Sequence, residues 1–342
     1  MGYRIGFDIG STTIKAVVLD ENNQICYKSY ERHKAQVRQK ALDKLVELKK
    51  YTKEPFKFAI SGSGALGLCE QGELPFVQEV FASATGVSKL YPETDCAIEL
   101  GGEDAKILFF QGSVEQRMNS TCAGGTGAFI DQMSTLLNMS LEEMNEASLN
   151  YHRLYPIASR CGVFAKTDIQ PLINQGVDKC DLCASIFQAV VDQTITSLAQ
   201  GRKIEGNILF LGGPLYFMSG LRKRFVETLK LSDVQVNCPE TAINFVALGT
   251  AICADQEYTY DELYKALEDL VHAPAKLTES KPLFESEEDY QKFIGRHKSH
   301  DAKYAELKDY AGKAYLGIDS GSTTTKLVLL DENDAILYDS YT

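Results

Sequence analysis

An early apolar run in the chain ends in a carboxylate and a turn of glycine and hydroxyl residues. Residues 4–15 read RIGFDIGSTTIK. Backbone N–H groups and hydroxyls in such a turn can hold phosphate oxygens, and a carboxylate beside them can supply an oxygen to Mg²⁺. An ordinary hairpin with a polar turn, and a lysine that faces solvent, are the alternatives. The residues of this predicted phosphate and magnesium site are Asp8, Gly10, Ser11, Thr12, Thr13 and Lys15.

Two further glycine turns follow apolar runs later in the chain. Residues 95–104 read DCAIELGGED, a near copy of the first run and turn, and residues 207–215 read NILFLGGPL. Three such turns in this order are far more specific than one. We predict that Asp104 and Glu103 take part in catalysis, with Asp104 also facing Mg²⁺. The remaining predicted nucleotide contacts in these turns are Gly101, Gly102, Gly212, Gly213 and Pro214.

The first segment recurs far along the sequence. Residues 315–341 read YLGIDSGSTTTKLVLLDENDAILYDSY, which repeats the carboxylate, glycine and lysine of residues 4–15. Self-similarity of this kind indicates a tandem architecture. We expect one full unit followed by the opening of a second, whose residues are either disordered or paired with a neighbouring sheet edge.

Composition limits the class of protein. With 342 residues, of which 44% are hydrophobic, the chain can bury enough core for two lobes. The net charge of −12 argues against nucleic acid and anionic membrane surfaces as partners. No charged leader opens the sequence and no apolar run reaches the length of a membrane span. We therefore expect a cytoplasmic protein with no membrane partner.

The order of apolar and amphipathic segments predicts the fold. Three strands, a helix, a strand and a further helix follow one another before the second glycine turn, which is the ribonuclease H-like plan. We predict an α/β protein of two ribonuclease H-like lobes with a nucleotide cleft between them. The predicted domains are a first lobe over 1–94, a second lobe over 95–254, a helical linker over 255–313 and the start of a second unit over 314–342.

Two cysteines stand directly before predicted helices. Cys122 lies in NSTCAGGTGAFIDQM and Cys161 in IASRCGVFAKTDIQ. Thiolates at helix N-termini are stabilised by the helix dipole, as is an anionic centre that they bind. Two cysteines are too few for an iron–sulfur cluster, but a two-fold axis would supply another pair; buried packing is the alternative. The glycine loop after the first cysteine predicts nucleotide contacts at Gly124, Gly125, Thr126 and Gly127.

Other potential ligands carry weaker signals. KCDLC at 179–183 is a lone pair of cysteines at a helix start with an apolar face, so packing is favoured over zinc or redox use. The histidines at 272, 297 and 300 stand in a charged segment without strand signals, which argues against a metal site.

The motifs resemble a known family. The segments CAGGTG and CGVFAKTD, with DIGST and LGGED, are similar to the ATP-dependent activators of 2-hydroxyacyl-CoA dehydratases (BadF/BadG/BcrA/BcrD-type ATPases), related to benzoyl-CoA reductase subunits. The three turns resemble the phosphate-1, phosphate-2 and adenosine motifs of the acetate and sugar kinase, Hsp70 and actin superfamily. The resemblance covers about residues 3–254. It implies ATP or ADP with Mg²⁺ bound between the lobes.

The same resemblance implies an iron–sulfur centre and its partners. A [4Fe–4S] cluster would be shared through Cys122 and Cys161 from each of two units. It would take an electron from ferredoxin or flavodoxin and pass it at low potential to a dehydratase or related reductase. The chain departs from the short activators at Glu103, where they usually have Gln, and in continuing beyond 254. The two units are therefore either two chains of a homodimer or the tandem units of one chain.

Two other classes of function remain open at this point. A small-molecule kinase of the sugar type would use the same fold, with Asp104 as its base. A non-catalytic nucleotide-binding module within a larger reductase would need only the three turns. The cysteines before helices favour the activator over both, because neither alternative requires them.

Overall fold

The computed structural model describes residues 2–119, 125–158, 162–274, 282–298, 301–321 and 324–342. They form two compact units, Met1–Ala273 and Pro274–Thr342. The strands are β1 (Arg4–Ile9), β2 (Thr13–Leu19), β3 (Ile25–Arg32), β4 (Phe56–Ser61), β5 (Cys96–Leu100), β6 (Ala105–Phe109), β7 (Glu115–Met118), β8 (Ile208–Leu211), β9 (Val236–Asn237), β10 (Gln256–Tyr258), β11 (Tyr315–Ser320), β12 (Thr325–Leu330) and β13 (Ile336–Tyr341).

Helices connect and cover these strands. They are α1 (Val37–Glu47), α2 (Leu66–Gly72), α3 (Glu79–Leu90), α4 (Gly127–Leu137), α5 (Leu141–Ser148), α6 (Gly162–Asn174), α7 (Lys179–Thr194), α8 (Gly213–Phe217), α9 (Ser219–Leu229), α10 (Phe245–Cys253), α11 (Tyr260–His272) and α12 (Glu287–Lys298).

The first lobe is built on a five-stranded sheet in the order β10-β4-β1-β2-β3. Strand β1 pairs antiparallel with β2 and parallel with β4. Residues 5–9 of β1 are all buried, whereas β3 alternates between exposed and half-buried residues as an edge strand does. Ile5, Phe7 and Ile9 pack into a core that α1 and α11 cover. The carboxyl ends of β1 and β4 therefore lie side by side, where Asp8 is.

The second lobe repeats this arrangement in a sheet of order β7-β6-β5-β8-β9. Strand β5 pairs antiparallel with β6 and parallel with β8, as β1 does with β2 and β4. A large core beneath this sheet includes residues of α4, α6, α7 and α9. The predicted α/β fold of two ribonuclease H-like lobes is confirmed.

A third core joins the two lobes. It contains residues of β2 from the first sheet, residues of β5, β6 and β8 from the second, and residues of α3 and α10. Representative buried side chains are Val17, Val87, Leu108, Leu211 and Leu248. Helices α3 and α10 therefore belong to the core that joins the two sheets.

Helix α7 and the π-helical turn that follows it form one long apolar segment. Lys179–Ala199 spans 21 residues and contains an 18-residue window with a mean hydropathy of 1.2, so the prediction that no apolar run reaches the length of a membrane span is wrong by length and composition. However, 67% of that window is buried inside the unit. The segment is apolar because it forms the centre of the second-lobe core, in which Ile186, Phe187 and Val190 are fully buried.

The structure assigns part of the expected linker to the first lobe. Strand β10 pairs antiparallel with β4, and Leu263, Leu267 and Leu270 of α11 are buried in the first-lobe core. The segment that we predicted as linker from residue 255 thus continues the compact unit to Ala273. Strand β10 has only three residues, which is too short for a pattern of alternating apolar and polar residues to indicate a strand. The sequence of α11 is compatible with a solvated helix, and it does not show that a sheet covers its apolar side.

In the second unit, β11, β12 and β13 form an antiparallel three-stranded sheet of their own. The described residues of the repeated sequence therefore form the same antiparallel strand pairs in both units, and their pairing with a neighbouring sheet edge stays a prediction. Leu316 and Ile318 are 60% and 63% exposed, whereas their counterparts Ile5 and Phe7 are fully buried. Within the described residues β11 pairs only with β12, so no parallel neighbour or helix covers it as β4, α1 and α11 cover β1.

Candidate functional site

The first turn is a tight hairpin with an ion pair at its base. Asp8 and Lys15 are cross-strand neighbours on β1 and β2, and their side chains meet at 2.7 Å between Oδ2 and Nζ. The Gly10 N–H donates to the Thr13 carbonyl at 2.9 Å and closes the turn. Burial acts to lower the pKa of Lys15, but the carboxylate of Asp8 outweighs it and the pKa is raised. Lys15 is thus a charged partner of Asp8.

The other oxygen of Asp8 is buried without a partner. Among the described residues, Asp8 Oδ1 and Ser61 Oγ are buried side-chain atoms with no hydrogen bond, and these two residues are neighbours across β1 and β4. A buried anionic oxygen without a partner is costly, whereas Mg²⁺ and the waters on it prefer carboxylate oxygens. The chemistry of this position therefore fits the predicted magnesium ion.

Gly62 brings the end of β4 close under Asp8. Its φ of +98° is in the region that favours glycine, and a Cβ atom there would lie 2.3 Å from the Ile9 carbonyl oxygen and 2.7 Å from Asp8 Oδ1. A side chain at this position would thus fill the space beside the unpartnered oxygen. The segment FKFAISGSG indicated a strand and a glycine loop, but its contact with Asp8 depends on parallel pairing that the sequence does not reveal.

His33 holds the first turn from below. Its ring Nδ1 accepts a hydrogen bond from the Ala35 N–H at 3.1 Å, so Nε2 carries the proton and donates to the Gly10 carbonyl at 3.0 Å. The His33 backbone N–H also donates to the Thr12 carbonyl at 3.2 Å. His33 is 4% exposed. It stands just after β3 without any motif around it, so the sequence offered no signal beyond a histidine that follows a strand.

The second turn repeats the first in register as well as in sequence. Glu99 on β5 pairs with Lys106 on β6 as Asp8 pairs with Lys15, and the two side chains lie 3.3 Å apart. The Gly101 N–H donates to the Asp104 carbonyl at 2.7 Å and closes this turn. We did not predict Glu99, although it occupies the position in CAIELGG that Asp8 occupies in GFDIG. Comparison of the two segments would have found it.

The two carboxylates predicted in the second turn have different surroundings. Asp104 Oδ2 lies 3.2 Å from Lys106 Nζ, and the Asp104 side chain is 29% exposed. Glu103 is exposed to solvent. Asp104 is thus bound to a buried lysine at the inner end of the turn, while Glu103 faces outward. Their predicted parts in catalysis and magnesium binding remain predictions.

The turns from the two lobes face each other closely. A Cβ atom at Gly102 would lie 3.2 Å from Thr12 Oγ1 and 3.8 Å from Ser11 Oγ. A Cβ atom at Gly127 would lie 3.2 Å from the Gly101 carbonyl oxygen and 3.4 Å from Pro214 Cγ. The structure therefore brings the first turn, the second turn, the start of α4 and the start of α8 to one place. Thr13 and Thr126 are buried there.

The third turn packs directly against the strand that leads into the second. Gly212 has a φ of +87°, and a Cβ atom there would lie 2.0 Å from the Leu100 carbonyl oxygen. Gly213 lies near the Tyr30 hydroxyl, at 3.7 Å from its hypothetical Cβ atom, and Pro214 stands in the first turn of α8. A glycine is thus needed at position 212 so that the carboxyl ends of β5 and β8 can approach each other closely.

Three of the predicted residues, Cys122, Cys161 and Gly124, lie outside the described residues. Gly125 is described, with a φ of +81°. The N–H groups of Gly127 and Ala128, which open α4, donate to the Gly101 and Gly102 carbonyls at 3.0 and 2.8 Å. These two N–H groups are therefore engaged by the second turn.

The segment that leads to residue 161 is anchored by carboxylates. Asp181 on α7 accepts hydrogen bonds from the His152 and Arg153 N–H groups at 2.7 and 3.0 Å, and Asp168 on α6 accepts one from the Ala158 N–H at 2.7 Å. These contacts hold residues 152–158 against the second lobe. The described part of the chain contains no group of three or more potential metal ligands.

Cys180 and Cys183 have the environment of packing residues. Cys183 is fully buried, and burial raises the pKa of its thiol to about 12. Burial and the neighbouring Asp178 also raise the pKa of Cys180. Since thiolates are the metal-binding and redox-active form, this agrees with helix-start packing.

Comparisons with known proteins agree with this geometry. The model of the BadF/BadG/BcrA/BcrD ATPase family matches residues 5–254. An activator of lactoyl-CoA dehydratase from Anaerotignum propionicum is 28% identical over 258 residues, which cover 74% of this chain and 97% of that protein. An (R)-2-hydroxyglutaryl-CoA dehydratase activating ATPase from Acidaminococcus fermentans is 27% identical over 256 residues, covering 74% and 96%.

Solved structures show the same fold. The activator of the 2-hydroxyisocaproyl-CoA dehydratase from Clostridium difficile, with bound ADPNP, has a TM-score of 0.65 at 25% identity and covers 81% of this chain and 100% of that one. Component A of the Acidaminococcus fermentans (R)-2-hydroxyglutaryl-CoA dehydratase also has a TM-score of 0.65, at 24% identity, covering 78% and 100%. The three facing turns and the family match over most of the chain lead to one conclusion: this chain belongs to the BadF/BadG/BcrA/BcrD ATPase family.

Proposed function

We propose that this chain is an ATP-hydrolysing activator of a 2-hydroxyacyl-CoA dehydratase or a related reductase. ATP or ADP would bind between the facing turns, with its phosphates against the Gly10–Thr13 hairpin and the Gly101–Asp104 turn. The adenosine would lie toward Gly212, Gly213 and Pro214. The residues that would hold Mg²⁺, directly or through water, are Asp8 and Asp104, and the unpartnered Oδ1 of Asp8 supports this.

The residues around the turns would position the phosphates and their charge. Thr12 and Ser11 lie beside Gly102, so hydroxyls of one lobe and backbone N–H groups of the other reach the same space. His33 fixes the carbonyl of Gly10 and keeps the hairpin in one conformation. Lys15 neutralises part of the negative charge at Asp8. Hydrolysis would remove the contacts that the terminal phosphate makes with both lobes, and the lobes would then separate.

The proposed coupling between ATP hydrolysis and electron transfer rests on hydrogen bonds between the second turn and α4. The Gly101 and Gly102 carbonyls, in the turn proposed to bind phosphate, accept hydrogen bonds from the first two N–H groups of α4. Helix α4 begins shortly after Cys122 in the sequence. A shift of the phosphate turn would therefore move the helix that follows this cysteine.

We propose that Cys122 and Cys161 hold a [4Fe–4S] cluster shared between two units. Bound there, the cluster would carry single electrons at low potential, received from ferredoxin or flavodoxin. The two units would be two chains of a homodimer or the tandem units of one chain, since four thiolates are required. The relatives support the activator function, because three of them are named as activators of lactoyl-CoA, 2-hydroxyglutaryl-CoA and 2-hydroxyisocaproyl-CoA dehydratases. A cytoplasmic location would suit both cluster and partners.

The experiment is an anaerobic purification with iron and acid-labile sulfide counted per chain, for wild type, Cys122→Ala and Cys180→Ala. Cys180 is the control, because it is a half-buried cysteine at the start of a helix and is not proposed to bind the cluster. We expect about two irons per chain in wild type and Cys180→Ala, and none in Cys122→Ala. ATP hydrolysis is measured on the same preparations.

Other results would redirect the function. Absence of iron after anaerobic reconstitution, together with ATP-dependent phosphorylation in a screen of sugars and amino sugars, would indicate a kinase. Nucleotide binding with neither iron nor hydrolysis would indicate a non-catalytic module.

A further inference from the structure

A buried lysine stands among three carboxylates at the base of the second turn. Lys106 is 2% exposed, and its Nζ lies 2.6 Å from Glu79 Oε1, 3.3 Å from Glu99 Oε1 and 3.2 Å from Asp104 Oδ2. An ammonium group has three N–H donors, so each carboxylate can receive one. Burial acts to lower the pKa of Lys106, but the three carboxylates together raise it. The lysine is therefore charged and fully satisfied.

The carboxylates belong to different parts of the molecule. Glu99 is on β5 and Asp104 is in the second turn, whereas Glu79 is the first residue of α3, a helix of the core that joins the two lobes. One turn further along α3, the Ser83 hydroxyl donates to Glu99 Oε2 at 3.0 Å. Two polar contacts thus connect one side of α3 to the strands that carry the proposed phosphate turn.

This cluster carries excess negative charge. Burial, reinforced by the charges of Asp8, Glu99 and Asp104 and opposed by Lys106, raises the pKa of Glu79 to about 7. ATP bound beside Asp104 would remain net negative even with its Mg²⁺ and would compete with Glu79 for the ammonium of Lys106. The strength of the ion pair between Lys106 and Glu79 of α3 therefore depends on whether the second turn binds ATP, ADP or no nucleotide.

We propose that Lys106 is a positioning residue that transmits the nucleotide state of the second turn to α3 through Glu79 and Ser83. The inference rests on the proposed ATP site. With ATP bound, Lys106 is drawn toward the turn and its hold on Glu79 weakens. After phosphate loss the hold is restored, and α3 shifts across the core that joins the lobes. The path from turn to helix is three side chains long, and it is separate from the path through α4.

Proximity alone does not establish such a coupling, because both ends must be shown to respond together. The variants are therefore Glu79→Gln, which keeps the shape and removes the charge, and Ser83→Ala, which removes the second contact. The matched control is Lys44→Met. Lys44 is also a buried lysine, 5% exposed, whose Nζ lies 2.6 Å from Glu47 and 3.3 Å from Glu31 in the first lobe.

The experiment measures hydrogen exchange of α3, residues 79–90, in the full chain without nucleotide, with ADP and with a non-hydrolysable ATP analogue. Affinity for both nucleotides and the kcat and KM of ATP hydrolysis are measured alongside. In wild type and Lys44→Met we expect exchange in α3 to differ at least about fivefold between ADP and the ATP analogue. In Glu79→Gln we expect this difference to vanish and kcat to fall, while KM and nucleotide affinity change less than about threefold. Ser83→Ala should lie between.

The outcomes separate this inference from the proposed function. Nucleotide binding and hydrolysis in wild type without any nucleotide-dependent change in α3 would overturn the inference and leave the function standing. An unchanged α3 response in both Glu79→Gln and Ser83→Ala would overturn it too. If wild type binds no nucleotide, the proposed function fails and the inference fails with it.

Discussion

The substitution Asp8→Asn tests the buried ion pair at the first turn. Asp8 is 1% exposed, the Lys15 side chain is 19% exposed, and Oδ2 and Nζ lie 2.7 Å apart. Asparagine has nearly the same size as aspartate, so the change removes a charge without creating a cavity. It leaves the Lys15 ammonium without its carboxylate and takes the anionic oxygen from the proposed magnesium position.

The expected loss of stability follows from this geometry. Two unit charges 2.7 Å apart attract by roughly 6 kcal/mol at an effective dielectric constant of about 20, but desolvation offsets much of this. Removing one partner of a fully buried pair costs about 3–5 kcal/mol. Because Lys15 reaches solvent in part, we expect the free energy of unfolding at pH 7 to fall by about 2–3 kcal/mol.

The same pair predicts a dependence on pH. The folded-state pKa of Lys15 is raised above its usual 10.5, so the stabilisation is fully present below pH 10.5. It is lost as the pH rises through the folded-state value. The alkaline loss of stability should therefore be smaller in Asp8→Asn than in wild type, because the variant lacks the part of Lys15 while the buried lysines Lys44 and Lys106 still contribute theirs.

The assay is urea unfolding followed by circular dichroism, with nucleotide binding measured by calorimetry with and without Mg²⁺. The matched control is Asp319→Asn, because Asp319 and Lys326 form the same pair in the second unit with 70% and 48% exposure. An exposed pair contributes about 0–1 kcal/mol. Equal losses of stability in both variants would refute the burial argument. Magnesium-dependent binding that persists in Asp8→Asn would refute the role of its oxygen.

Three further predictions concern other contacts of the first unit. Gly212→Ala should lower the free energy of unfolding by about 2 kcal/mol or more, because φ is +87° and its Cβ atom would lie 2.0 Å from a carbonyl oxygen of β5. The control is Gly176→Ala, which should cost only about 1 kcal/mol because φ is +75° and nothing lies within 4 Å of its Cβ atom. Equal losses of stability in the two variants would contradict this reasoning. Burial raises the pKa of Glu79 to about 7, so the folded state of wild type should lose stability relative to Glu79→Gln as the pH rises from 4.5 to 7. The urea midpoints of the two proteins measure this difference. A midpoint of wild type that rises relative to Glu79→Gln over this range would contradict the prediction. Asp181→Ala should cost about 1–2 kcal/mol and speed amide exchange at residues 152–153, unless those N–H groups are held by something else.

Local chemistry made much of the site readable from the sequence. An apolar run that ends in a carboxylate and a glycine turn specifies its own strand, turn and return strand, so the hairpins at 4–19 and 96–109 were predictable. The order of the three turns identified the fold and the family for the same reason. The predicted glycines Gly101, Gly102, Gly127 and Gly212 do lie together.

Contacts between residues distant in sequence were not readable in this way. His33 binds the Gly10 carbonyl, and Ser61 on β4 lies beside Asp8 on β1. Lys106 forms an ion pair with Glu79 on α3. Periodicity shows which residues of a segment share a face, but not which other segment covers that face. For that reason the sequence predicted a linker over β10 and α11, whereas in the structure β10 pairs with the first-lobe sheet and α11 packs in its core.

The amino-acid sequence by itself thus determined the repeated hairpins, the three glycine turns and the membership of the family, because each depends on residues within about ten positions of one another. Only the tertiary structure decided that Ser61 lies beside Asp8, that the first N–H groups of α4 bind the second turn, and that α3 connects to that turn through Lys106. These contacts form when strands, turns and helices that are distant in the sequence pack together. Their energy comes from burial and charge pairing across that packing, which no local pattern encodes.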